Sequence, residues 1–189
     1  MGLAIRRSEK MEGIFPVHAN SFFIVSRDGA FNQILTYDYY DPSGYYSQLT
    51  HRPIDFKKEI DKLWSNMQDF LDEETIKING TVTRPLVKHV DIEHRGSETT
   101  PFLTWIIYFE GSFNKGGNIF ESWAEEERAA YDFEVYWYFP PKTAITEIDS
   151  PMDYDSQDNT LILWARKGDK VGGYERIVFN IPARGVKKD

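Results

Sequence analysis

Residues 102–109 read FLTWIIYF, and the fold turns on them. The run is short, rich in β-branched and aromatic side chains, and bounded by Pro101 and Gly111, the marks of a strand. Strand side chains alternate between faces, so Phe102, Thr104, Ile106 and Tyr108 share one side and Leu103, Trp105, Ile107 and Phe109 the other. Both sides are apolar, which predicts a central strand covered on both faces. Residues 160–166 repeat the pattern, with Leu161 and Leu163 against Ile162 and Trp164. Residues 132–139 are the clearest amphipathic strand: Phe133, Val135, Trp137 and Phe139 point in, while Asp132, Glu134, Tyr136 and Tyr138 point out.

Working outward from these, residues 21–27 and 30–40 form a hairpin about Asp28-Gly29. A tight turn follows at 41–44, flanked by Tyr39, Tyr40, Tyr45 and Tyr46, where the expected structure is two strands with tyrosines at their ends. Pro53 opens a helix whose apolar residues from Phe56 through Ile60, Leu63, Trp64, Met67, Phe70 and Leu71 recur in steps of three and four. Residues 75–83 read as one strand with a bulge at Gly80, because a turn at Asn79-Gly80 would put Val82 on the opposite face from Ile76 and Ile78. In 86–94, Leu86, Val90 and Ile92 face one way and His89, Asp91 and Glu93 the other. Asn118 with Glu121 resembles a capping box, so 118–131 is expected to be a short second helix. A short strand at 144–148, an acidic loop at 149–159 and a strand at 174–181 complete the chain.

The fold expected is therefore α+β: seven to nine mostly antiparallel strands in a strongly curved β-sheet or two layers, covered by one long amphipathic helix. A β-sandwich with a helical insertion is the alternative. With 189 residues a single domain is expected over 20–182, between a partly ordered arm at 1–19 and a frayed tail at 183–189.

The net charge of −8 argues against nucleic acid and against an anionic membrane surface, both of which are bound through excess Lys and Arg. There is no cysteine, which removes disulfides, thiolate metal sites and cysteine nucleophiles; it fits any compartment, and a thermophilic source. No run approaches the roughly 18 apolar residues of a membrane span. Cytoplasmic location is the default expectation, although a domain cut from an exported protein would read the same.

No catalytic motif appears: residues 111–117 carry Gly117 where a P-loop needs its Lys, and no cofactor is expected. His89, Asp91 and Glu93 share a strand face at two-residue spacing, a pattern that could converge on a metal ion with help from His51 or His18. The Asp149, Asp153, Asp155 and Asp158 loop departs from calcium-loop spacing, and Glu125, Glu126 and Glu127 are expected on a solvated face. Two function classes follow. One is a non-catalytic module that holds an apolar small molecule between helix and sheet, near Trp64, Met67 and Trp105, or forms a homodimer through Tyr136 and Tyr138 or an open sheet edge. The other is a hydrolase or metal-dependent enzyme built on His89, Asp91 and Glu93.

Overall fold

A computed structural model describes residues 13–182; residues 1–12 of the expected arm at 1–19, and the tail at 183–189, lie outside the described residues. The chain runs β1 (Phe15–Val25), β2 (Ala30–Tyr40), α1 (Tyr45–Thr50), α2 (Pro53–Glu73), β3 (Thr75–Ile78), β4 (Thr81–Thr83), β5 (Leu86–His94), β6 (Pro101–Glu110), β7 (Gly116–Arg128), β8 (Asp132–Tyr138), β9 (Ala144–Asp149), β10 (Asp153–Gln157), β11 (Thr160–Ala165) and β12 (Lys170–Ile181). It is α+β, with a seven-stranded sheet ordered β10-β11-β8-β1-β2-β6-β5 and a five-stranded sheet ordered β4-β3-β7-β12-β9. Every pairing is antiparallel except β1 with β8, which run parallel at the middle of the larger sheet.

The two sheets meet through rings. Phe120 of the small sheet lies 4.8 Å from Trp137 of the large one, and Phe179 lies 4.8 Å from Phe139. Within the large sheet Phe23 stacks on Trp137 at 4.1 Å and Phe31 on Phe109 at 4.6 Å. These residues alternate along their strands, so one period-2 pattern per strand supplies the whole aromatic core. α2 covers the inner face of β5 and β6: Met67 and Leu71 are buried, and the Trp105 indole N–H donates to the Leu63 carbonyl at 3.3 Å. The helix also satisfies the start of β5, since the Gln68 Oε1 accepts from the Val87 N–H at 3.0 Å. Among the described residues no helix is long and apolar enough to cross a membrane.

Among the described residues twelve strands appear where seven to nine are expected, and each addition has a local reason. Residues 116–128 are β7, not a helix; eleven residue pairs with β12 outweigh a capping box that fits either structure. Residues 75–83 form a hairpin, with Asn79 and Gly80 both at positive φ (52° and 78°) as a type I′ turn requires. The phase argument against that turn holds, but Val82 simply stands 64% exposed. Acidic residues 153–157 form an edge strand on β11, where charge deters further pairing. After the 41–44 turn, Tyr45 and Tyr46 begin helix α1 rather than a strand, the Asp41 carboxylate accepting the Tyr46 N–H at 3.0 Å. β1 starts at Phe15, inside the expected arm. A bulge between Val87 and His89 shifts phase, so Val87 is buried and Leu86 faces water.

The deciding stretch itself is half right. β6 lies one strand in from the sheet edge, and Leu103, Trp105, Ile107 and Phe109 are buried. Phe102, Thr104 and Tyr108 are only half-buried, and Ile106 is exposed. β11 behaves likewise, with Ile162 and Trp164 half-buried. The outer face of the large sheet has no layer over it among the described residues.

Candidate functional site: the open face of the large sheet

Strand register assembles the outer face into rows that cross the sheet. Ile162 of β11 pairs with Tyr136 of β8, Tyr136 with Phe22 of β1, Phe22 with Ile34 of β2, and Ile34 with Ile106 of β6. One row thus carries five apolar side chains on five adjacent strands, spanning four interstrand gaps or roughly 19 Å. Phe22 and Tyr136 stack at 4.6 Å with planes 8° apart. Exposures of 42% for Phe22, 37% for Ile34 and 38% for Ile106 show that the row is wet in the single chain. His89 and Asp155 end it on the outermost strands.

The flanking rows grade from mixed to charged. On one side lie Thr160, Tyr138, Ile24, Asn32, Tyr108 and Leu86, with Tyr138 54% exposed. On the other lie Trp164, Glu134, Asn20, Thr36, Thr104 and Asp91, in which the Thr36 and Thr104 hydroxyls bond each other at 3.2 Å. Beyond these, Asp132, His18, Asp38 and Phe102 form a charged row. The His18 Nε2 sits 2.8 Å from the Glu134 carboxylate and its Nδ1 3.7 Å from that of Asp38. Arg95 pairs with Asp38 at 2.6 Å and Arg166 with Asp132 at 3.1 Å. Asp132 titrates below the usual carboxylate range, first because it accepts the Lys167 backbone N–H. The row's two carboxylates, Asp38 and Asp132, each pair with an arginine, and such exposed pairs contribute little stability.

His89, Asp91 and Glu93 do share the outer face of β5, at the sheet's edge. His18 lies on β1, three interstrand gaps or roughly 14 Å away, and His51 is exposed at the end of α1. Among the described residues no group of three or more His, Asp or Glu side chains is arranged to hold a metal ion. Of the residues expected beneath the helix, Trp105 and Met67 are buried there and Trp64 is turned 37% to solvent. The Trp105 ring reaches the helix backbone itself, with no gap for a ligand at that point. Tyr136 and Tyr138 stand on the open face, as their phase in the strand requires. The rows they belong to were missed in the sequence, because the members of each come from several segments and only register aligns them.

No protein-family model matches the chain, and no curated protein matches its sequence.

Proposed function

We propose that this protein is a non-catalytic assembly module whose working surface is the open face of the large sheet, and that the surface pairs with a second copy of the same chain. The single observation that carries the reading is the Ile162–Tyr136–Phe22–Ile34–Ile106 row. Soluble monomers rarely keep a continuous apolar stripe of that length in water, and two such faces pack at the usual sheet-to-sheet distance of about 10 Å.

The face is self-complementary. A twofold axis along the row sets each apolar residue against its own copy. It also lays the flank of Tyr138, Asn32 and Tyr108 over that of Glu134, Thr36 and Thr104, because each pair lies two residues either side of the row. Phenol and amide then meet carboxylate and hydroxyl, which satisfies polar groups that pairing takes out of water. Growth through the sheet edges is the weaker route. β10 carries Asp153 and Asp155, β9 carries Glu147 and Asp149, and β4 has three residues.

Sedimentation velocity across a range of protein concentrations tests the proposal. A dimer is expected for the native chain, and a monomer with unchanged near-ultraviolet circular dichroism for Ile34→Glu. A native chain that stays monomeric at the highest concentration, or an Ile34→Glu variant that still dimerises, overturns it. Native mass spectrometry of the same sample shows whether a small ligand occupies the face instead.

A further inference from the structure

One carboxylate on the open face differs from its neighbours. Asp38 and Asp132 pair with Arg95 and Arg166, whose guanidiniums stay charged throughout the working pH range. Glu134 pairs, among the described residues, with His18 alone: its Oε2 lies 2.8 Å from the imidazole Nε2. The other ring nitrogen, Nδ1, lies 3.7 Å from the Asp38 carboxylate. The imidazole is thus bracketed by anions from β8 and β2, the two strands that flank β1. Only the charged imidazole carries a proton on both nitrogens and so answers both carboxylates.

Position gives that pairing a consequence. Glu134 stands two residues from Tyr136, in the row beside the apolar stripe. The twofold that sets the stripe on its copy lays Tyr138 of the second copy over Glu134. His18 and Asp38, four residues from the stripe, come under Ser26 and Ala30 of the second copy, and Phe102 under Glu110. That Glu110 faces Arg95, which stacks on the Phe102 ring at 4.2 Å. It stands two interstrand gaps, roughly 10 Å, from His18.

Resting on the paired-sheet reading above, we propose that protonation of His18 controls the pairing: two chains associate firmly while the imidazole is charged and loosely once it is neutral. Packing takes water from the Glu134 carboxylate. A charged partner in contact offsets that loss, and a neutral one does not. Paired chains therefore hold the His18 proton more tightly than free chains. Association is full below the range in which an imidazole titrates, about pH 5 to 8, and is lost as pH rises through it. The groups that face His18 are Glu134 and Asp132 of β8 and Asp38 of β2, with Arg95 and Arg166 behind them. These are carboxylates and guanidiniums, types whose ordinary titration lies outside that range.

Sedimentation equilibrium at about pH 6 and about pH 8, at one ionic strength, reads the switch out. The native association constant is expected to fall roughly tenfold between the two. His18→Gln keeps a donor for Glu134 but cannot charge, so it should associate equally at both values, at the native level of the higher pH. His18→Arg, charged at both, should associate at the higher pH as the native chain does at the lower. His51, His89 and His94 remain in both variants, so a general effect of falling net charge would persist in them. A native dimer equally tight at both pH values overturns this proposal and leaves the dimer standing. So does a His18→Gln variant that keeps the native pH dependence. A native chain monomeric at both values overturns the dimer, and the switch with it.

Discussion

Burial raises the Glu74 carboxyl from 4.5 to about 7. The folded chain therefore keeps a proton there that the unfolded chain has released. Stability from this group is complete below about 4.5, falls as pH climbs toward 7, and is flat above. Glu175 adds to the same direction. Glu74→Gln is expected to leave stability nearly unchanged near pH 4.5 and to raise it at pH 8 by up to about 3 kcal/mol. Urea unfolding at the two pH values checks this; equal effects at both would refute it. Gly29 marks a steric limit of a different kind. Its φ is +96°, and a β-carbon there would land 1.9 Å from the Gly111 carbonyl oxygen. Gly29→Ala should cost about 2 kcal/mol or more, read by the same melts.

At the scale of elements, α2 is a lid held by polar contacts to Trp105 of β6 and Val87 of β5. Trp105→Phe keeps an aromatic ring against the helix but removes the donor to the Leu63 carbonyl, and should lose about 1–2 kcal/mol, part bond and part volume. A loss near zero would mean that apolar packing alone seats the helix. β7 shows why sequence periodicity failed locally. Ile119, Phe120, Trp123 and Ala124 satisfy a helical stripe and a strand equally, and only pairing with β3 and β12 chooses between them. At 75–83 the sequence reading sets Val82 on the face of Ile76 and Ile78 and so rejects the turn, whereas the hairpin leaves Val82 in water.

For the whole molecule, the open face sets a gradient that mutation can trace. Ile106→Lys, within the apolar row, should dissociate the proposed dimer. His89→Ala, one strand farther at the row's end, should leave the association constant within roughly threefold of native, as rim positions do. Analytical ultracentrifugation of both variants distinguishes a central row from a diffuse contact. An equal loss in the two would move the interface to the β5 edge.

The α+β class, the long helix from Pro53, the inward face of β8 and the outward placing of Tyr136 and Tyr138 were legible because each rests on a period of 2 or 3.6 within one segment. The apolar row was not. It joins residues far apart in the chain, and no local pattern states which strands lie side by side. That 102–109 is apolar on two faces is written in the sequence. That one of those faces meets the core and the other meets water was decided by strand order, since among the described residues seven strands and a five-stranded partner leave one broad surface without a cover.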